Sequence, residues 1–198
     1  MKKMMFVAAL FLSMAAYAQQ FGVIGGMTLS TMDGASAPKE NKNMVLYQAG
    51  VLYKADLGAG FAVQPSLTYQ VKGATLKQNN DVTSKTGFVE LGVGAQWGPD
   101  LLAFRPYLFV EPFVGYVVSS ADKAGDADQA DISSAKNKFE YGFGFGGGLE
   151  IATHIQLSVQ YFNNMGPMFN RDAAAAQGSW AERFKNFKGI KFTVGILF

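Results

Sequence analysis

The sequence predicts an all-β fold, an eight-stranded antiparallel up-and-down transmembrane β-barrel, and two observations lead to that prediction. Apolar residues alternate with polar or glycine residues in eight segments, with the period of two that a β-strand has. The connections between these segments are alternately short and long, as in barrels that span an outer membrane. The segment from Phe139 to Ile151 shows the alternation well, because aromatic and aliphatic residues occupy one face and Glu140, Glu150 and glycines occupy the other.

The chain begins with a segment typical of a secretory signal peptide. Two lysines precede an apolar run from Met4 to Ala16, and a triplet with a small residue at each end closes at Ala18. This predicts a signal peptide over residues 1–18 and an outer-membrane β-barrel domain over residues 19–198. The apolar run is too short to cross a bilayer as a helix, which needs about 20 apolar residues.

The composition argues against several classes of protein. When Lys2 and Lys3 leave with the signal peptide, the 17 basic residues fall to 15 and equal the 15 acidic ones, so the mature chain is formally neutral. A neutral chain gives no support for a nucleic-acid partner or for polybasic attachment to lipid. Because the chain has no cysteine, it has neither a disulfide framework nor a lipid-modified N-terminal cysteine.

The first four predicted strands each have an apolar face and a polar or glycine face. The alternation is weakest in the first, and the second sets valines and tyrosines against Gln48, Gly50 and Lys54. The third keeps the alternation unbroken over thirteen residues, with Lys72 on its polar face, and the fourth has Glu90 on that face. These strands are predicted over Phe21–Ser30, Met44–Ala55, Gly60–Lys72 and Thr86–Trp97.

The last four predicted strands follow the same rule. The fifth carries Arg105 and Glu111 on its inner face, together with the bulky Tyr107, Phe109 and Phe113. The sixth is the glycine-rich segment described above, the seventh alternates apolar residues with glutamine and serine, and the eighth alternates to the C-terminus. These strands are predicted over Phe104–Val118, Phe139–Ile151, Ile155–Phe162 and Lys188–Phe198.

The connections predict the orientation of the barrel. Residues 56–59, 98–103 and 152–154 form short connections, and both termini lie on the same side as these. The long and polar connections are residues 31–43, 73–85, 119–138 and 163–187. In outer-membrane barrels the short turns face the periplasm and the long loops face the outside of the cell. We therefore expect four extracellular loops.

The charged residues of the predicted strands must point into the barrel. A charge on the lipid face costs roughly 2–4 kcal/mol at the middle of the bilayer. The interior of an eight-stranded barrel is just wide enough to be filled by side chains, so we expect these charges to neutralise one another and to plug the lumen. A narrow conduit is the alternative. Lys54 lies on the same face as the six predicted lumen charges, which are Glu90, Arg105, Glu111, Glu140, Glu150 and Lys191.

Aromatic residues occur on the outer faces where the membrane interfaces should be. Their amphipathic rings suit the headgroup region of a bilayer. The predicted girdle near the short connections consists of Tyr53, Phe61, Trp97 and Phe104, and the girdle near the long connections consists of Tyr47, Tyr69, Tyr116 and Tyr141.

Several stretches resemble the outer-membrane β-barrel family typified by PorT. The segment Pro65–Gly73 is similar to the family's pattern of proline, apolar residue, tyrosine and lysine-glycine. Pro106–Pro112 resembles its fifth strand, although Glu111 stands where a glycine is usual. The glycine-rich Gly142–Glu150, the segment Leu157–Tyr161 and the ending Gly195–Phe198 also resemble family segments.

The resemblance implies the barrel fold and little about function. Members of this family are mostly uncharacterised, and the best-known one is associated with a protein-secretion apparatus. Phe198 is similar to the C-terminal aromatic residue that barrel-assembly machinery recognises, which implies an assembly signal. An aromatic residue at the membrane rim is the alternative interpretation.

The residues do not predict a catalytic, cofactor or metal site. His154 is the only histidine and lies in a short connection, whereas a serine-histidine-acid triad needs its histidine between nucleophile and carboxylate. One histidine and no cysteine leave no usual zinc ligand set. Asp122, Asp126, Asp128 and Asp131 lack the spacing of a twelve-residue calcium loop, so a solvated acidic loop is favoured over a divalent-ion site. We therefore expect a protein that is not an enzyme and has no cofactor.

Taken together, the sequence predicts a small barrel in the outer membrane of a Gram-negative bacterium. Its expected role is structural or interactive, through the extracellular loops. The expected partners are membrane lipid, lipopolysaccharide, barrel-assembly machinery and an unidentified envelope protein, and no nucleic acid is expected. A small-solute channel or ligand-uptake barrel is the alternative function, and a soluble periplasmic barrel is a further possibility for the fold.

Overall fold

A computed structural model describes residues 19–33, 42–76, 82–101, 103–124, 127–128, 138–165 and 186–198. Within these ranges the chain forms nine β-strands and no helix. The predicted signal peptide lies outside the described residues. The strands are β1 (Gln19–Asp33), β2 (Lys42–Gly58), β3 (Phe61–Leu76), β4 (Val82–Trp97), β5 (Phe104–Ala124), β6 (Ala127–Asp128), β7 (Phe139–Ile151), β8 (Ile155–Asn164) and β9 (Asn186–Leu197).

Eight long strands close into one antiparallel barrel. Each long strand pairs with the next one along the chain, and β1 pairs with β9 to close the wall. Among the described residues, the two-residue strand β6 pairs only with the end of β5, where Lys123 lies opposite Asp128. Closure leaves none of the long strands with an unpaired edge. The prediction of a closed eight-stranded antiparallel barrel is confirmed.

The strands extend further than the alternation predicts at one end of the barrel. β1 continues to Asp33, β3 to Leu76 and β5 to Ala124, so the predicted connections 31–43, 73–85 and 119–138 are partly strand. Backbone pairing does not require an apolar face, whereas the alternation of polarity fades where both faces of the wall are polar. The sequence pattern therefore located the apolar part of each strand and missed the polar extensions.

The other end of the barrel carries the short connections and both termini. Ala152 and Thr153 form a tight turn with positive φ angles of 49° and 60°, closed by a hydrogen bond from His154 N to Ile151 O (3.1 Å). At the same end, Phe198 N donates to Phe21 O (2.7 Å). We call this end the short-turn end and the opposite end the long-connection end.

Polarity is inverted relative to a water-soluble protein. In β7, Phe139, Tyr141 and Phe145 are more than half exposed on the outer face, whereas Glu140 and Glu150 are buried on the inner face. The same alternation holds in the apolar part of the other long strands, so the core of the molecule is the lumen and its contents are largely polar. Among the described residues, no helix has the length and apolarity needed to cross a membrane.

Candidate functional site, the charged lumen

The lumen contains two ion-paired layers, of which the first lies toward the long-connection end. Lys72 Nζ donates to Glu90 Oε2 (2.9 Å) and to Glu140 Oε1 (2.7 Å), and Lys191 Nζ donates to Glu90 Oε1 (2.7 Å). Asn164 completes the group, because its amide donates to Glu140 and its Oδ1 accepts from Lys72 Nζ (3.3 Å). We call these five residues the upper layer. They come from β3, β4, β7, β8 and β9, so the layer reaches across the lumen.

Three phenylalanine rings surround the two lysines of the upper layer. Lys72 Nζ lies 5.1 Å from the centroid of the Phe88 ring, 4.7 Å from that of Phe113 and 5.2 Å from that of Phe162. Lys191 Nζ lies 5.1 Å from the Phe113 centroid and 5.3 Å from the Phe162 centroid. At these distances the ring faces attract the ammonium groups, and the rings exclude water from the ion pairs.

The second layer lies toward the short-turn end. Lys54 Nζ bonds Glu150 Oε1 (2.9 Å) and lies 3.1 Å from Asp56 Oδ1. Arg105 Nη1 lies 3.7 Å from Glu150 Oε2, and the guanidinium also contacts the exposed Asp100 through Nε (3.3 Å). We call these five residues the lower layer. Arg105 Nη2 also donates to Gly60 O (2.8 Å), which connects the layer to the turn between β2 and β3.

Between the two layers lies a chamber of about 50 Å³ lined mainly by uncharged polar side chains. Since a water molecule needs roughly 10–15 Å³ of such space, the chamber has room for a few waters. Glu111 faces it and accepts a hydrogen bond from Gln160 Nε2 (3.0 Å) through Oε1. Gln96 Nε2 donates to Gln64 Oε1 on the neighbouring strand (2.8 Å). Gln48 Nε2 of β2 donates to Thr193 Oγ1 of β9 (2.7 Å), over the inner face of β1, which lies between these two strands.

The glycines of β7 make space for large side chains from β5 and β8. A Cβ added to Gly142 would lie 2.6 Å from the Phe113 ring, and one added to Gly148 would lie 2.4 Å from the Tyr107 ring. At Gly144 an added Cβ would meet the amide of Gln160. The bulky inner face of β5, which the sequence analysis noted without explanation, therefore packs over a strand that has almost no inner side chains.

The six predicted lumen charges all point inward, but the structure distributes them. Glu90, Glu140 and Lys191 belong to the upper layer, Arg105 and Glu150 to the lower layer, and Glu111 to the chamber between them. They do not neutralise one another at a single level.

The predicted set omitted residues that hold the layers together. Lys72 is the most connected cation of the upper layer, and Lys54 pairs with two carboxylates, those of Glu150 and Asp56, in the lower one. The alternation had already put both lysines on the inner face, so the signal was present in the sequence. Asn164 had no such signal, because the predicted strand ended at Phe162 whereas β8 continues to Asn164.

The predicted girdle residues lie on the outer face, and several form ring pairs. Phe61 and Trp97 pair with centroids 6.4 Å apart near the short-turn end, and Tyr47 and Tyr69 pair at 6.4 Å nearer the long-connection end. Tyr53 is only half-buried and pairs with Phe21, which the prediction did not include. The remaining girdle residues, Phe104, Tyr116 and Tyr141, are exposed on the outer face.

The remaining sequence candidates lie at the two ends. Phe198 is 73% exposed at the short-turn end, beside Phe21. His154 is exposed in the turn after β7, where its Nδ1 contacts the Thr153 hydroxyl (3.4 Å) and Ala152 O, and no carboxylate partner of its ring occurs among the residues that the structure describes. Of the acidic segment, Asp126 and Asp131 lie outside the described residues.

A family model described as outer membrane protein beta-barrel domain matches residues 17–170 of the chain. No curated protein matches this chain. Among solved structures, neisserial surface protein A is 12% identical, with a TM-score of 0.48 and coverage of 91% of this chain and 97% of that one. The attachment invasion locus protein Ail of Yersinia pestis is 9% identical, with a TM-score of 0.47 and coverage of 92% and 99%.

A third solved structure corrects one prediction. The outer membrane enzyme PagL is 9% identical, with a TM-score of 0.46, and the match covers 88% of this chain and 98% of that one. The expectation that this chain is not an enzyme, which rested on the lack of a predicted catalytic site, was therefore wrong, because barrels of this type include an enzyme. Fold does not decide activity, since catalytic groups can be added to the wall or rim of any scaffold.

Proposed function

The chain belongs to the family of outer membrane protein β-barrel domains, and from that premise we propose that it is a closed, ion-impermeable barrel. Its role is structural or interactive, and its partners bind at the long-connection end. The family membership makes the outer membrane its location, with lipid around the wall.

The observation that carries the proposal is the pair of charged layers across the lumen. In the upper layer, the buried Lys72 and Lys191 face the buried carboxylates of Glu90 and Glu140. In the lower layer, Lys54 and Arg105 face the buried carboxylate of Glu150 and the more exposed Asp56 and Asp100. Because every one of these four cations has a carboxylate partner, none needs an anion from solution to neutralise it. An ion crossing the barrel would have to break buried pairs in two successive layers, and breaking one such pair costs about 3–5 kcal/mol.

The alternative function, a small-solute channel or ligand-uptake barrel, would need a continuous space. The chamber of about 50 Å³ between the layers holds a few waters and is too small for a solute. The interior of an eight-stranded barrel is just wide enough for side chains or one small ligand, and here the side chains fill most of it. The geometry therefore favours the closed barrel.

The finer parts of the proposal concern assembly and surroundings. We infer a PorT-type protein from the resemblance in Pro65–Gly73, and a signal peptide over residues 1–18 from the N-terminal pattern. The exposed outer aromatic rings support contact with phospholipid and lipopolysaccharide at the two interfaces. The exposed C-terminal Phe198 supports recognition by barrel-assembly machinery.

Single-channel recording in planar lipid bilayers tests the closed lumen. The purified wild-type barrel should give no conductance steps, because both layers are intact. A charge-balanced variant, Lys72→Ala/Glu140→Ala/Arg105→Ala/Glu150→Ala, removes one cation and one carboxylate from each layer and should give small steps. Its folded state is checked by the faster gel migration of an unheated barrel. Steady conductance in the wild-type protein would contradict the proposal and support the channel.

A further inference from the structure

A shallow, open groove of about 400 Å³ lies on the outer surface of the barrel wall near the short-turn end. Its sides are a row of outward aliphatic residues in which Val23 pairs with Val51, Val51 with Leu67, and Leu67 with Leu91. Phe21 and Tyr53 lie along the groove toward the short-turn end, together with Phe198. Apart from the phenol of Tyr53, the outward side chains that line it are apolar, and the side chain of Ser66 is on the inner face, where it lines the chamber.

A proline, Pro65, lies in the wall beneath the groove. The β2–β3 ladder pairs Leu52 with Ser66 and Ala55 with Val63 in one register, but the two positions between them, Tyr53 opposite Pro65 and Lys54 opposite Gln64, are not paired, although this part of the wall is described. Pro65 has no backbone N–H to donate to β2, whereas its pairing with Val93 of β4 continues. The groove lies over this interruption, and both Leu52 and Ser66 line it.

We propose that this groove binds one acyl chain of a phospholipid from the membrane leaflet on the short-turn side. The groove is continuous with the lipid-facing surface, and the absence of any charged side chain in its lining fits a hydrocarbon chain and not a headgroup. The Phe21–Tyr53 ring pair, with centroids 4.9 Å apart, lies at the end where an interfacial girdle meets the headgroups.

The shape of the surface beyond the groove supports a long, thin occupant. Further from the short-turn end, the outward positions are Gly25 and Ala49, which are register partners. A Cβ added to Gly25 would meet no atom closer than Gln48 O at 3.9 Å, so the surface stays low there. A chain in the groove can therefore continue toward the middle of the bilayer. The inference rests on the membrane orientation proposed above.

Photolabelling with a lipid probe tests the site. The full-length protein is inserted into vesicles of palmitoyl-oleoyl phosphatidylethanolamine that contain a phospholipid with a diazirine on one acyl chain, and adducts are mapped by mass spectrometry. We expect labelling of Val51 and Leu67 to exceed, several-fold, the labelling of Leu149 and Leu157, which pair on the opposite wall near the same end. Equal labelling of both walls would overturn the proposal, because bulk lipid alone gives that result.

Variants separate the groove from the rest of the wall. Pro65→Val supplies an N–H and should let the ladder close, and Val51→Phe should fill the groove, so both should lose the excess label. Pro112→Val is the matched control, since the β4–β5 ladder is also interrupted beside Pro112, between the Gly92–Phe113 and Ala95–Val110 pairs. It should keep the excess label on Val51 and Leu67. Retention of that excess in Val51→Phe would overturn the acyl-chain site.

Two further outcomes of this test are distinguishable. Labelling of Val51 below that of Leu157 would indicate that a second copy of the chain covers the groove, and it would overturn the lipid proposal. A protein that conducts ions in planar bilayers would contradict the proposed closed lumen but would leave the labelling pattern unchanged. The lipid site and the closed lumen therefore fail independently.

Discussion

Lys72 is the most completely buried charged side chain of the lumen. Its ammonium is completely buried, and it has two carboxylates, one amide oxygen and three aromatic rings as partners. The desolvation of a buried ammonium is several kcal/mol, and only close opposite charges and hydrogen bonds offset it. Glu90 and Glu140 depend on Lys72 in the same way, so the upper layer is a mutual arrangement.

Replacing Lys72 by methionine should therefore destabilise the barrel strongly. The variant Lys72→Met keeps an unbranched chain of similar length and leaves Glu140 without a lysine, which should reduce the free energy of unfolding by about 3–5 kcal/mol. Urea unfolding in lipid vesicles, followed by tryptophan fluorescence, measures the loss. Lys85→Met is the matched control, because Lys85 is exposed, and it should change the stability by less than about 0.5 kcal/mol.

A second variant distinguishes lost charge balance from lost packing. Lys72→Met/Glu140→Gln removes the carboxylate that the first change leaves unpaired, so it should regain part of the stability. If Lys72→Met were no more destabilising than Lys85→Met, the ion pairs of the upper layer would contribute nothing to the stability of the barrel.

The alternation of residues predicts direction but not partnership. A period of two is enough to put Glu90, Lys191 and the other charges inside the barrel. Which of them pair depends on the height of each residue along the barrel axis, and that height is set by the stagger between strands. Lys72 of β3 meets Glu140 of β7 across the lumen, a contact that no local pattern in the sequence encodes.

At the level of elements, β7 works together with β5. The inner glycines of β7 have no side chains, and the inner aromatic side chains of β5 fill the space that they leave. In the sequence, β7 is glycine-rich and the inner face of β5 is unusually bulky, and no local pattern connects the two. Their complementarity follows from adjacency in the barrel, where Tyr107 lies opposite Gly148 and Phe109 opposite Gly146.

This pairing predicts that a larger side chain is destabilising at Gly148 and tolerated at the adjacent Gly147. An added Cβ at Gly148 would lie 2.4 Å from the Tyr107 ring and 2.6 Å from Leu157 O, so Gly148→Val should cost about 1–3 kcal/mol of stability through overpacking. Gly147 is on the outer face, where the nearest atom to an added Cβ is Leu108 Cδ2 at 3.3 Å. Gly147→Val should therefore be close to neutral.

The same urea titration in lipid vesicles compares the two variants with the wild-type protein. A lower midpoint for Gly148→Val alone is the expected result. Equal midpoints would mean that the inner aromatic side chains of β5 can move aside at little cost, and the strands would then not be complementary in the sense described here.

At the level of the whole molecule, the two ends of the barrel differ in a way that predicts its direction in the membrane. The described connections at the short-turn end are tight, and both Gln19 and Phe198 lie there. At the long-connection end the strand pairs extend past the aromatic girdle, as at Gly73 and Lys85. Since short turns face the periplasm in barrels of this kind, the long-connection end should face the outside of the cell.

Cysteine labelling of intact cells tests that direction without background, because the chain has no cysteine of its own. A membrane-impermeant maleimide should label Lys85→Cys and Lys138→Cys, both exposed at the long-connection end, before the cells are lysed. Pro99→Cys and Thr153→Cys, exposed at the short-turn end, should react only after lysis. Leu67→Cys on the outer face should stay unlabelled in both cases, because lipid covers it. The reverse order of labelling would invert the orientation, and labelling of Leu67→Cys after lysis would mean that water, not lipid, surrounds the wall.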